Sequence, residues 1–163
     1  MTNNYRLLLL EDDKTFSGSL YQALNKQSQY PRPVEVRTFS YKEFELQFSE
    51  ARNSSREIIV LGGRESLNYE PDTSLLQQLA GKQERTHFFL LTPVLEGKRL
   101  LQLCAPQVSG ITERSELAQT WLPMAIKRIQ RRQQARSSQN GKMAEEPMGF
   151  FQQIRAAVFS FFV

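Results

Sequence analysis

Five short apolar runs, separated by segments whose apolar residues recur every three or four positions, constrain this chain more than any other feature. The runs lie at residues 5–10, 34–39, 57–61, 88–92 and 108–111. Those at 5–10, 57–61 and 88–92 are nearly all apolar, as strands covered on both faces should be, while 34–39 alternates with a period of two. Between them, residues 14–26 carry Phe16, Leu20 and Leu24, and residues 40–51 begin with Ser40 and place Phe44 and Phe48 on one side. Residues 72–80 carry Leu75, Leu76 and Leu79, and residues 95–104 carry Leu95, Leu100, Leu101 and Leu103. A fifth helical pattern runs from about Ser115 or Leu117 to Arg132, with Pro123 either bending it or opening its first turn. Strand–helix alternation of this kind predicts βαβ units. The expected fold is α/β, a five-stranded parallel sheet with helices on both faces in a three-layer sandwich. In such a sheet the functional crevice lies beyond the carboxyl ends of the strands.

Composition sets few further bounds. Hydrophobic residues make up 40% and charged residues 23%, an ordinary globular balance. No apolar run approaches the ~18 residues of a membrane span, and the first residues do not read as a secretory leader, so a cytoplasmic protein is expected. The single cysteine, Cys104, excludes an intramolecular disulfide, and the single histidine, His87, excludes a His-rich metal cluster. The net charge of +4 is unevenly placed. Between Glu116 and Glu145 there is no acidic residue, while Lys127, Arg128, Arg131, Arg132, Arg136 and Lys142 are all basic. That run is read as a solvated helix end. It lacks the recognition helix, zinc spacing or aromatic interleaving of a nucleic-acid reader, so nucleic acid is not an expected partner.

The strand ends carry the chemistry. LLLLEDD, residues 7–13, closes on Glu11, Asp12 and Asp13. EIIVLGG, residues 57–63, closes on Gly62 and Gly63. LLTP, residues 90–93, presents Thr92; SGITER, residues 109–114, ends in Arg114; LPMAIKRIQRR, residues 122–132, is the last helical stretch. In order and spacing these motifs resemble the receiver domain of two-component response regulators, over roughly residues 4 to 132. The resemblance implies that Glu11 and Asp12 stand at Mg²⁺-coordinating positions, Thr92 at the hydroxyl that contacts the phosphoryl group, and Arg114 at the lysine position of the family pattern. Gly62 falls on the phospho-acceptor aspartate, and Ile111 where the family usually has a switch Tyr or Phe. Glycine has no carboxylate to take a phosphoryl group. The resemblance therefore implies a degenerate receiver, with no catalytic residue, no cofactor and no enzymatic activity. Its output would pass through the surface of the fourth helix, fifth strand and fifth helix, Ile111 included, to a protein partner or a second copy.

Each site residue also has a plainer reading. Glu11, Asp12 and Asp13 fit a solvated acidic strand end that also starts a helix, against residual Mg²⁺ binding at Glu11 and Asp12. Arg114 is placed to pair with that cluster and hold the crevice closed. Gly62-Gly63 reads as a tight turn in which glycine tolerates positive φ, too short for a phosphate-cradling loop. If the crevice geometry survives, Gly62→Asp is expected to restore some Mg²⁺-dependent phosphorylation.

Three regions are expected: a receiver-like domain over 1–132, a polar basic linker over 133–148, and an aromatic amphipathic helix over 149–163. On a helix, Phe150, Phe151, Ile154, Val158, Phe161 and Phe162 share one face, and such a stripe calls for a cover. Docking on a protein is the favoured cover, with membrane-surface contact as the other. Two alternative functions follow: a peripheral membrane regulator held by the basic linker and aromatic helix, or a phosphotransfer receiver with an atypical acceptor.

Overall fold

The structure, a computed structural model, describes residues 5–47, 56–80 and 86–138. Within them the chain alternates β1 (Tyr5–Leu10), α1 (Lys14–Leu24), β2 (Val34–Phe39), α2 (Tyr41–Gln47) and β3 (Arg56–Leu61). It continues through α3 (Thr73–Ala80), β4 (Thr86–Thr92), α4 (Gly97–Leu103), β5 (Val108–Glu113) and α5 (Leu117–Ser138). The expected helix over 40–51 is described only as far as Gln47, and the region expected as an aromatic helix, 149–163, lies outside the described residues.

The five strands form one parallel sheet in the order β2-β1-β3-β4-β5. This is an α/β fold with the 2-1-3-4-5 order of flavodoxin-like and receiver domains. The chain leaves β1 toward β2 and then crosses back to β3, so the switch point lies between β1 and β3. β1 lies between β2 and the central strand β3, and all six of its residues are buried. Leu7, Leu8, Leu9 and Leu10 are at most 2% exposed, and each contributes about 1.5–3 kcal/mol by leaving water. Alternate residues feed two cores. Leu7 and Leu9 pack with Leu20 and Leu24 of α1 and with Leu122, Ile126 and Ile129 of α5. Leu8 and Leu10 pack with Phe44 of α2, Leu76 of α3 and Leu100 of α4.

Both sheet edges are managed locally. On β2, exposed Glu35 and Arg37 pair at 2.8 Å, and charge on an edge strand opposes further strand pairing. On β5, a Cβ at Gly110 would stand 2.5 Å from the Trp121 ring. Glycine there lets Trp121 lie over the sheet and meet Phe89 edge-to-face at 5.7 Å between ring centroids.

The last helix is longer than its pattern predicts. It runs through Pro123 and past Arg132 to Ser138, into the segment expected as linker. Twenty-two residues span roughly 33 Å, whereas a six-residue strand spans roughly 20 Å. Two polar contacts hold its far end against the amino-terminal edge of the sheet. The Tyr5 hydroxyl donates to the Gln133 side chain. The buried Gln130 amide exchanges hydrogen bonds with the Arg32 backbone, at 3.2 and 3.0 Å. No helix among the described residues is long and apolar enough to cross a membrane.

The same edge buries an ion pair. Arg6 and Glu57 meet at 3.2 Å, with Arg6 Nε and Glu57 Oε2 finding no hydrogen-bond partner among the described residues. Burial pushes the Glu57 carboxyl above its ordinary range, and the Arg6 charge only partly opposes this. Folded Glu57 thus holds its proton more tightly than the unfolded chain does, so its contribution to stability becomes less favourable as pH rises through that raised pKa. Replacing both side chains, Arg6→Met with Glu57→Leu, is expected to leave stability unchanged or raise it by about 1–4 kcal/mol, whereas Arg6→Met alone lowers it by about 3–5 kcal/mol. Urea unfolding measures both, and a double variant weaker than the single one contradicts this account of the pair.

Candidate functional site

Backbone pairing continues past the strands and assembles the crevice at the switch point. Glu11 N–H donates to the Phe39 carbonyl at 2.9 Å, Gly62 N–H to the Leu10 carbonyl at 2.7 Å, and Asp12 N–H to the Gly63 carbonyl at 2.9 Å. The ends of β2, β1 and β3 are thereby held level, with Glu11 beside Gly62 and Gly63. The Arg114 backbone N–H donates to the Thr92 carbonyl at 2.8 Å, which brings the end of β5 to the end of β4.

Glu11 and Arg114 fill the crevice. The Glu11 side chain is fully buried, and Arg114 grips it with two parallel bonds, Nε to Oε1 at 2.9 Å and Nη2 to Oε2 at 2.7 Å. Gly63 N–H adds a bond to Oε1 at 2.7 Å, and Asp13 N–H one to Oε2 at 2.9 Å. A carboxylate offers about four lone-pair sites, and here four donors occupy them. The guanidinium lies between two rings, 4.6 Å from the Phe16 centroid and 4.8 Å from that of Tyr69. Stacking of this kind adds about 0.5–2 kcal/mol per ring. Hydrogen bonding to Glu11 pushes the Arg114 pKa up, and burial opposes it less strongly.

The neighbouring carboxylates are turned to backbone donors. Asp12 accepts from Tyr41 N–H at 2.9 Å and from Glu65 N–H at 2.7 Å, so it pins the start of α2 and the loop after β3. Asp13 caps α1 by accepting from the N–H groups of Thr15 and Phe16. The hydroxyl of buried Thr92 has two acceptors at 3.2 Å, a Glu70 carboxylate oxygen and the Val94 carbonyl, and Glu70 is held by Arg99 at 2.8 Å. Tyr41 closes the far wall. Its hydroxyl donates to the Gly62 carbonyl at 2.7 Å, and burial raises its pKa far above the ordinary phenol range. Arg64 lies 5.1 Å from the Tyr41 ring and bridges Asp72 and Glu45 at 2.9 and 3.0 Å.

This donor set does not fit a divalent cation. A hard cation needs several free oxygens, and seating one at Glu11 requires breaking the Arg114 pair. Among the described residues, no group of three or more His, Cys, Asp or Glu side chains is placed to hold a metal ion. The structure thus brings Glu11, Asp12, Gly62, Thr92 and Arg114 to one end of the sheet, and it commits their polar atoms to one another or to neighbouring protein groups.

Three expectations change. Gly62 and Gly63 do not adopt left-handed backbone; they are required by space. A Cβ at Gly62 would stand 2.5 Å from Glu11 Oε1 and 2.8 Å from the Leu10 carbonyl, and one at Gly63 would stand 2.6 Å from Arg114 Nε. The left-handed positions are Asn68 and Tyr69, at φ 55° and 63°, which carry the Tyr69 ring onto Arg114. A side chain at Gly62 meets Glu11 and the Leu10 carbonyl, so Gly62→Asp does not meet the condition attached to it, a crevice of unchanged geometry. Ile111 is 2% exposed and belongs to the core under α3 and α4, so it offers no contact surface. The expected contact residues Phe150, Phe151, Ile154, Val158, Phe161 and Phe162 lie outside the described residues.

Sequence reading missed Phe16, Tyr41, Tyr69, Glu70 and Arg99. The one local signal was the Ser40–Glu43 capping box, in which Glu43 N–H donates to Ser40 Oγ and Ser40 N–H to Glu43 Oε1, fixing where α2 starts and hence where Tyr41 stands. Comparison of the chain with family models, with curated proteins and with solved structures finds no match.

Removing one partner of the central pair leaves a buried charge. Arg114→Ala is expected to lower stability by about 3–5 kcal/mol. Arg114→Lys should recover only part of this, because an ammonium cannot make the two parallel bonds or stack between rings. Gly62→Ala should also destabilise. Chemical denaturation of the three variants checks this, and a Lys variant as stable as the parent contradicts the two-bond geometry.

Proposed function

We propose that this chain is a receiver-like module that takes no phosphoryl group at the crevice and acts by contact with a protein partner or a second copy, not as an enzyme. The observation that carries this reading is the Glu11 carboxylate, whose lone pairs are occupied by Arg114 and two backbone N–H groups. A working phosphotransfer site needs a free carboxylate nucleophile, a cation held by carboxylates, and room for the incoming group. Here the nucleophile position is glycine, and the space is filled. Thr92, which in a receiver reports the phosphoryl group, is tied to Glu70.

With the crevice occupied, recognition falls to the outside. β5 is an edge strand flanked by α4 and α5, and each helix leaves a large apolar residue in water, Leu101 at 77% and Leu117 at 62% exposure. Exposed apolar groups beside a sheet edge suit protein contact. This surface is held in one arrangement by the Arg114 lock, so the module engages its partner without a phosphate signal.

Two measurements test the reading. Incubation with acetyl phosphate and Mg²⁺ is expected to leave the mass of the intact protein unchanged. Leu101→Arg with Leu117→Arg is expected to weaken self-association or capture of a partner by roughly tenfold or more, since two interface anchors are lost. Gain of one phosphate mass, or associations indifferent to both substitutions, overturns the proposal.

A further inference from the structure

The two ends of this domain differ in charge: at the carboxyl-terminal end of the sheet the acidic residues stand among Lys14, Lys42, Arg64, Lys98, Arg99 and Arg114, whereas the opposite end is mainly cationic. Among the described residues, the acidic side chains lie at the carboxyl-terminal ends of the strands and the helix starts that follow them, with two exceptions. Glu35 is paired with Arg37, and Glu57 is buried against Arg6. The opposite end is cationic. There α5 reaches past the sheet and exposes Arg128, Arg131, Arg132 and Arg136, with half-buried Lys127 beside them. Exposed Arg32 sits against this helix through its backbone bonds to Gln130, and exposed Lys26 follows the end of α1.

Nothing within the described residues neutralises the stripe. None of the four α5 arginines makes an ion pair there. Arg128, Arg132 and Arg136 follow one another at four-residue steps, the spacing at which like charges repel on a helix. Partial burial, with the charges of Arg128 and Arg136, lowers the Arg132 pKa below its ordinary range. An arrangement that works against the helix calls for an anionic counterpart outside it.

We propose that this cationic end, carried by Arg128, Arg131, Arg132 and Arg136, docks on an anionic lipid surface. Clusters of four to eight basic residues on a helix are attracted to acidic headgroups. A nucleic acid is the other polyanion to consider. Single strands bind through aromatic side chains on which bases stack, and among the described residues no aromatic side chain is exposed. The inference does not depend on the closed crevice or on the surface around β5, so it stands or falls separately from the proposed function.

The test uses the full chain and vesicles of two parts phosphatidylcholine to one part phosphatidylserine, against phosphatidylcholine alone. The protein is expected to co-float with the anionic vesicles, to ignore the neutral ones, and to be released as salt is raised. Each basic residue near the surface contributes about fivefold in affinity. Arg128→Gln, Arg131→Gln, Arg132→Gln and Arg136→Gln together should therefore weaken binding by roughly 600-fold. All four positions are exposed and mutually repelling, so the variant should melt no lower than the parent. Salt release of the unaltered chain gives a second measurement free of any substitution. Binding that survives the four changes, binding indifferent to salt or to phosphatidylserine, or tighter binding to a duplex or single-stranded oligonucleotide overturns the proposal.

Discussion

A carboxylate taken wholly out of water must be matched by donors, and the Glu11 side chain meets that demand at the point where four elements converge. Arg114 arrives from the end of β5, Gly63 from the end of β3, and Asp13 from the start of α1, while Glu11 itself closes β1. Removing water from both ions is costly, and their attraction compensates only when geometry is good and every lone pair is met. Both conditions hold here. The pair therefore acts less as a source of stability than as a constraint, since any shift of β5 against β1 would strand a charge. The two glycines follow from it. With Glu11 and Arg114 in place, no side chain fits at Gly62 or Gly63.

The surroundings are arranged to keep that pair in register. Tyr69 and Phe16 both lie against the guanidinium, and a left-handed turn at Asn68 and Tyr69 aims one of those rings. Asp12 ties the α2 start and the loop after β3 to β1, and the Tyr41 hydroxyl ties α2 to Gly62. Glu70 and Arg99 take Thr92 out of circulation. An end of the sheet that in an open site would receive a ligand is here a continuous network of satisfied polar groups.

Much of this was legible in advance. The five strands, their alternation with helices and the grouping of Glu11, Asp12, Gly62, Thr92 and Arg114 at one end all follow from apolar periodicity and from chain order. Apolar runs such as the one in β1 are unambiguous because only burial on two faces tolerates them. Helix ends were less legible. The basic tail of α5 has no apolar stripe of its own past Ile129, yet it stays helical to Ser138 because Gln130 and Gln133 anchor it to Arg32 and Tyr5. Polar side chains that reach across about 100 residues of sequence leave no periodic trace. Ile111 failed as a surface residue for a related reason: a register shift of β5 against β4 after Val108 puts Ile111 and Val108 in the same core, and such a shift leaves no mark in the sequence.

The sequence by itself determined the α/β class, the strand count and the glycines after β3, because these depend on local pattern. Tertiary structure alone decided what packs against those glycines. Whether Glu11 would face solvent, a metal or an arginine turns on where the end of β5 falls relative to β1, 103 positions apart in the chain. That spacing is set by sheet order and register, which arise from packing of the whole domain and are encoded in no single segment.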